Sequence, residues 1–190
     1  MTGGEVSGVL DRVAQLLAAA GIPFMVAGSF ASTAHGLPRS TQNLDLVIDP
    51  PSAATFDALL ASIPADRYYV DADAARDALR RRSMFNMIDL TSGWKIDLIV
   101  RKNRAFSRDE FARRTKMSVL GVSVFVASPE DTIVAKLEWS KLAGGSERQR
   151  RDVAGIVATI GAALDRPYME TWIRDLDLAD EWEAAKTTET

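Results

Sequence analysis

Four residues between positions 26 and 49 have the types and spacing needed to bind a phosphate beside a metal ion. The segment reads VAGSFASTAHGLPRSTQNLDLVID. Gly28 and Ser29 follow a short apolar run; a glycine there allows close backbone approach, and the N–H groups that start the next helix favour an anion. Asn43 and Asp45 are two apart in a second apolar run, so a strand places both side chains on one face.

A second acid, Asp97, lies inside the apolar segment WKIDLIV. Ile96 and Leu98 should face one side of the predicted strand, and Lys95 and Asp97 the other. A carboxylate in so apolar a strand is costly to bury unless a metal, another cation or hydrogen bonds compensate it. Two interpretations therefore stay open: Asp97 belongs to a metal site, or it pairs with Lys95 or lies exposed at an edge strand.

The elements that must position these residues are predicted from apolar periodicity and turn residues. The first part reads as mixed helix and strand, and a Thr-Ser-Gly turn at 91–93 joins two strands into a hairpin. From Pro129 onward the pattern is helical only, and Ser128 with Pro129 is a strong helix start. The predicted helices cover residues 5–20, 29–35, 52–63, 74–82, a short one from 107, 129–142, 148–163, 168–175 and 179–185. The predicted strands cover residues 23–27, 44–48, 67–70, 84–90, 94–100, 115–119 and 122–126.

These elements predict an α/β (α+β) fold with a core over residues 1–127 and a C-terminal helical region over 128–190 packed on it. Two acids near the strands are interpreted as structural. Asp89 is expected to face solvent. Asp49, which precedes Pro50-Pro51, is expected to be a turn residue.

Composition excludes several classes of site. The chain has 190 residues, a net charge of −3, no cysteine and one histidine, so disulfides and thiolate metal sites are excluded. No apolar run approaches ~18 residues, so we expect no membrane span. The N-terminal residues lack the pattern of a secretory signal, which favours a cytoplasmic location. Residues 76–116 hold 12 Lys/Arg against 5 Asp/Glu. Two interpretations of this basic stretch stay open: it attracts polyphosphate or RNA, or it forms solvated helix faces and loops.

The glycine-serine and Asn43/Asp45 spacing resembles the first motif of the nucleotidyltransferase superfamily, Gly-Ser followed by Asp-x-Asp. The segment GLPRSTQNLDLVI is similar to the Gly-x-x-Arg-x-Thr-x-Asp-Leu-Asp segment of its AbiEii-like, toxin–antitoxin branch. The later segments SPEDTIVAKLEW and ERQRRDVAGI resemble further elements of that branch, so the likeness spans residues 22–156. One departure stands out, because Asn43 occupies the position of the first Asp.

The resemblance implies a mixed β-sheet flanked by helices, with a nucleoside triphosphate as substrate and Mg²⁺ or Mn²⁺ as cofactor. It implies that Asp45 and Asp97, with Asn43, form the catalytic and metal-binding set, and that the nucleotide is contacted by Gly28, Ser29, Arg39, Lys136, Arg151 and Asp152. The implied activity is transfer of a nucleoside monophosphate to a hydroxyl of an acceptor such as tRNA or a cognate protein.

Structural alternatives remain for these residues. Lys136 and Asp152 would equally form an ion pair between helices, and Ser29 would equally cap a helix. Because Asn43 supplies no charge, a second hypothesis is an inactive module of the same fold whose helical tail mediates a homodimer or binds another protein. A third, weaker hypothesis is RNA binding through the arginines at 80–82.

Overall fold

The computed structural model describes residues 3–36 and 41–188, so Arg39 lies outside the described residues. The chain forms two compact units. The first unit contains the described residues 3–26 and 41–126, and the second contains 27–36 and 127–188.

The first unit is built on a mixed seven-stranded sheet with the strand order β3-β4-β5-β2-β1-β7-β6. The β2–β5 and β1–β7 pairs are parallel and the other pairs are antiparallel. The strands are β1 (Phe24–Val26), β2 (Asn43–Ile48), β3 (Tyr68–Val70), β4 (Met84–Asp89), β5 (Lys95–Val100), β6 (Thr115–Val119) and β7 (Val122–Val126).

The helices divide between the two units. Four of them, α1, α3, α4 and α5, belong to the first unit, and α2 and α6–α9 to the second. One turn of 3-10 helix, Gly161–Ala163, follows α7. The helices are α1 (Gly3–Ala19), α2 (Gly28–His35), α3 (Ala53–Ser62), α4 (Ala72–Arg81), α5 (Ala105–Ala112), α6 (Pro129–Leu142), α7 (Glu147–Ile160), α8 (Arg166–Asp175) and α9 (Ala179–Lys186).

The two central strands β2 and β5 each present one fully apolar face. Their alternate residues Leu44, Leu46, Ile48, Ile96, Leu98 and Val100 are at most 1% exposed. Because side chains alternate across a strand, burying this set directs the intervening residues of both strands to the opposite face. Asn43 and Asp45 on β2, and Lys95 and Asp97 on β5, belong to that opposite face.

The start of α6, in the second unit, is fixed by its capping residues. The Ser128 hydroxyl accepts a hydrogen bond from the backbone N–H of Asp131, and Pro129 occupies the first helical position. This is the capping pattern that the sequence predicts. The mixed sheet, the hairpin of β4 and β5, and the change to helices after residue 128 are likewise confirmed. No described helix has the length and apolar character to cross a membrane.

Gly36 is needed at the end of α2 because another helix passes close to it. A Cβ atom at this position would lie 3.0 Å from the backbone nitrogen of Ile156 and 3.1 Å from the carbonyl carbon of Gly155, both in α7. Any side chain would therefore push the two segments apart. The glycine lets α2 and α7 pack at this distance.

Candidate functional site

Asp45 and Asp97 lie directly opposite each other on neighbouring strands. In the parallel pairing of β2 with β5, Asp45 is the partner of Asp97, and Asn43 is the partner of Lys95. Paired strands lie about 4.8 Å apart, so one cation can reach carboxylates that face the same side of such a pair. Residues 52 positions apart in the chain thus meet on one face of the sheet.

The Asp97 carboxylate is held by two neighbouring side chains. The ammonium nitrogen of Lys95 lies 3.0 Å from Oδ1 and 3.3 Å from Oδ2 of Asp97. The side-chain amide of Asn86, on β4, donates a hydrogen bond to Oδ1. The side chain of Asp97 is 7% exposed, whereas that of Lys95 is 41% exposed. Of the two sequence interpretations, the ion pair with Lys95 is present in the structure.

Charge and ligand number limit what can bind to the face of β2 and β5 that carries the four polar residues, which we call the β2–β5 face. Asn43, Asp45, Lys95 and Asp97 together carry one net negative charge. In the described part of the chain, no three His, Asp or Glu side chains cluster as a group that could hold a metal ion. Mg²⁺ nevertheless binds typically through one or two carboxylates completed by substrate phosphate oxygens. The donor set suits a cation that arrives with a phosphate ligand better than a free cation.

Asn86 is a contact of the site that the sequence analysis missed. The antiparallel pairing of β4 with β5 places it opposite Asp97. The predicted turn at 91–93 would have paired Asp97 with Met87, because counting outward from it matches residue 90 with 94. In the structure Asp89 faces Trp94 across a turn of four residues, and this shift by one position brings Asn86 opposite Asp97.

The expectation that Asp89 faces solvent is wrong. Its side chain is fully buried, with Oδ2 at 3.0 Å from Arg12 and 3.2 Å from Arg67. Oδ1 accepts backbone hydrogen bonds from Thr91 and Ser92, in the hairpin turn. Burial alone would raise the pKa of Asp89, but the hydrogen bonds from Arg12 and the turn, with the charge of Arg67, outweigh burial and lower the pKa. Asp89 therefore anchors the turn.

The glycine-serine pair lies at the first turn of α2, in the second unit. Gly28 has a φ of 56°, a left-handed conformation that a residue with a side chain adopts at a cost. Ser29 is 7% exposed. His35, at the other end of α2, is also buried, and its Nε2 lies 2.7 Å from the carbonyl oxygen of Ala127. Burial lowers the pKa of His35 despite that hydrogen bond, which favours a neutral, structural imidazole.

Lys136 and Asp152 pair between α6 and α7. The ammonium nitrogen of Lys136 lies 2.6 Å from Oδ2 of Asp152 and 3.0 Å from the side-chain oxygen of Gln149. The side chains of Lys136 and Asp152 are 6% and 8% exposed. Arg151 differs, because it is exposed and pairs with Glu147 one turn earlier in α7. The inter-helix ion pair considered as an alternative is therefore present.

Comparison with known proteins identifies the fold. No protein-family model matches the chain, and no curated protein matches it. Among solved structures, an antigenic nucleotidyltransferase-like protein from Paracoccidioides brasiliensis is 16% identical, with a TM-score of 0.57 over 98% of this chain and 94% of that one. The antibiotic-resistance factor ANT(2'')-Ia is 14% identical, with a TM-score of 0.57 over 97% of this chain and 98% of that one. The lincosamide antibiotic adenylyltransferase LnuA is 9% identical, with a TM-score of 0.53 over 77% and 93%. The chain has a nucleotidyltransferase fold.

Proposed function

We propose that this protein binds a nucleoside triphosphate together with Mg²⁺ or Mn²⁺ on the β2–β5 face and transfers the nucleoside monophosphate to an acceptor hydroxyl. The observation that carries the proposal is the pairing of Asp45 with Asp97 in a nucleotidyltransferase fold. Two acids that are distant in the sequence but adjacent on the sheet provide the oxygen ligands that a triphosphate-bound cation needs.

Asp45 and Asp97 would hold the cation, and the amide oxygen of Asn43 is the third donor on this face. When bound, the cation would neutralise phosphate charge and favour ionisation of the attacking hydroxyl. The acceptor oxygen forms a bond to the α-phosphorus, and the bond from that phosphorus to the bridging oxygen breaks. Pyrophosphate leaves, and the hydroxyl proton passes to a base such as a carboxylate.

The other roles implied by the sequence resemblance stay predictions. Gly28 and Ser29 are the candidates for phosphate contact, and Lys136, Arg151, Asp152 and Arg39 for nucleotide contact. The buried pairing of Lys136 with Asp152 supports a structural role for these two at least as well.

The acceptor that we propose first is an RNA, such as a tRNA, or a cognate protein in a toxin–antitoxin system, on the strength of the AbiEii-like sequence segments. Two structural neighbours bind small molecules instead: ANT(2'')-Ia has been crystallised in complex with adenylyl-2''-tobramycin, and LnuA with lincomycin bound. Tobramycin and lincomycin therefore belong in the same acceptor panel.

The test is calorimetric titration of the protein with ATP in the presence of Mg²⁺. Asp45→Ala should abolish binding, because it removes one of two carboxylates from the proposed site. The control is Asp73→Ala, at an acid of the same unit whose side chain is 97% exposed, and it should bind like wild type. Unchanged binding by Asp45→Ala would remove this face from consideration.

A second function, an inactive binding module, is favoured by one specific pair of observations. Asn43 contributes no charge, and the carboxylate of Asp97 already forms an ion pair with Lys95. Such a protein would act through a homodimer or another partner. Thermal unfolding with ATP and Mg²⁺, compared with Mg²⁺ alone, separates the two functions, because a ligand that binds the native state raises the melting temperature. No shift, and no label transfer to any acceptor, would favour the module.

A further inference from the structure

Lys95 holds the carboxylate that the proposed function assigns to the metal. Its ammonium nitrogen contacts both oxygens of Asp97, at 3.0 Å and 3.3 Å, while Asn86 donates to Oδ1 from the neighbouring strand. A divalent cation that approached Asp97 would meet a positive charge within hydrogen-bond distance of both oxygens. Metal binding and the Lys95–Asp97 ion pair are therefore in competition.

We propose that the ammonium group of Lys95 is a built-in cation of this site: it neutralises Asp97 in the nucleotide-free protein and has to leave Asp97 before a divalent cation binds there. This inference rests on the proposed function. It predicts that free metal ions bind weakly and that metal binds well only together with a nucleotide, whose phosphates supply both further oxygen ligands and negative charge.

The surroundings of Lys95 allow such an exchange. Its side chain is 41% exposed, so the ammonium group can rehydrate when it leaves Asp97 without disturbing the core. Across the strand pair its partner is Asn43, which is neutral. An aspartate at position 43 would attract both Lys95 and the metal. Because the residue there is asparagine, it does not compete with Asp97 for the ammonium group of Lys95.

The expected size of the effect follows from the charges that are removed. Replacing Lys95 by a neutral residue removes both a partly exposed ion pair and the repulsion between an ammonium group and a divalent cation. Together these should strengthen metal binding in the absence of nucleotide by about tenfold. The gain should depend on the carboxylate of Asp97.

The experiment measures Mn²⁺ affinity by electron paramagnetic resonance and calorimetry on the full chain, alone and with α,β-methylene-ATP, which cannot undergo the transfer. Lys95→Met and Lys95→Gln should bind Mn²⁺ about tenfold more tightly than wild type without nucleotide. Lys95→Arg, which keeps the charge, should behave like wild type. Lys95→Met combined with Asp97→Asn should lose the gain. Lys141→Met is the matched control, because Lys141 forms an ion pair with Asp177 in the other unit, and it should change nothing.

The outcomes separate this inference from the function on which it rests. If wild type binds Mn²⁺ with α,β-methylene-ATP but both neutral variants match wild type without nucleotide, the built-in cation is refuted and the proposed function stands. If no variant binds Mn²⁺ even with the nucleotide analogue, both are refuted. If Lys95→Met and Lys141→Met gain the same Mn²⁺ affinity, the gain comes from the change in net charge of the protein, and the specific role of Lys95 is refuted.

Discussion

The ammonium nitrogen of Lys136 and Oδ2 of Asp152 are 2.6 Å apart, and each side chain is less than a tenth exposed. The two residues join α6 to α7 in the interior of the second unit. An ion pair removed from water in this way is costly to break on one side, because the remaining charge stays buried without its partner. The packing of α6 against α7 therefore depends on the presence of both charges.

Removing one member of this pair should destabilise the protein strongly. We expect Lys136→Ala and Asp152→Ala each to lower the free energy of unfolding by about 3–5 kcal/mol. The double variant Lys136→Met with Asp152→Leu should be more stable than either, since it buries no charge. Urea unfolding measures all three. Single variants that unfold like wild type but fail to bind ATP would assign the pair to the nucleotide instead.

Asp89 should make stability depend on acidity. Its pKa is lowered in the folded protein, so its contribution is fully present above about pH 4, the unfolded value, and is lost as the pH falls through the lowered pKa. We expect Asp89→Asn to lower the free energy of unfolding by about 2–4 kcal/mol at pH 7. The difference from wild type should shrink below about pH 4 in denaturant titrations from pH 7 to pH 2.5. Asp73→Asn, at an exposed acid, should show neither effect, and a pH-independent difference would contradict this role of Asp89.

Two glycine-to-alanine changes should differ in their effect on stability. Gly36→Ala places a methyl group 3.0 Å from the backbone of Ile156, which cannot move freely, and should destabilise by about 1–3 kcal/mol. Gly8→Ala, inside α1, meets the guanidinium of Arg12 at 3.0 Å, and that group is hydrogen-bonded to Asp89, so it can move only by weakening that contact. The helical gain of about 0.5–1 kcal/mol should be offset by this, and Gly8→Ala should change stability little. Thermal and urea unfolding compare them, and equal effects would show that the space at Gly36 is not limiting.

Restoring an acid at position 43 should strengthen the site. Asn43→Asp adds a third carboxylate to the face that holds Asp45 and Asp97, so we expect Mn²⁺ to bind about tenfold more tightly in the presence of α,β-methylene-ATP. Any transfer of labelled nucleotide to an acceptor should rise with it. Asn103→Asp, on an exposed loop, is the control for the added charge. Unchanged Mn²⁺ affinity in Asn43→Asp would place the cation elsewhere.

Helices, strands and turns could be predicted from the sequence because the residues that determine them are neighbours in the chain. The hairpin of β4 and β5 follows from alternating apolar residues on both sides of a Thr-Ser-Gly turn, and the start of α6 follows from Ser128 and Pro129. The nucleotidyltransferase fold was also predicted, from the resemblance of the glycine-serine and Asn43/Asp45 segment and of later segments to motifs of that superfamily. The hairpin and helix signals lie within a few residues of the feature that they indicate, whereas the fold was predicted from motifs spread over residues 22–156.

Asp89, which the sequence misjudged, has partners that are far away in the chain. Asp89 is buried because Arg12 and Arg67 reach it from 77 and 22 residues away. Neither contact leaves a pattern near Asp89. For Lys136 the sequence offered both a nucleotide contact and an ion pair with Asp152 of the following helix, and the ion pair is present. Burial of a charge depends on such partners, and a single sequence does not show them.

The short outer strands of the sheet have a consequence for how molecules of this protein behave at high concentration. β3, at one end of the strand order, has three residues, too few for a second chain to pair with over any length. β6, at the other end, has five, and it carries exposed Lys116, whose charge opposes stacking against an identical strand. Aggregation through growth of the sheet should therefore be slow, and substituting Lys116 by an apolar β-branched residue should promote it.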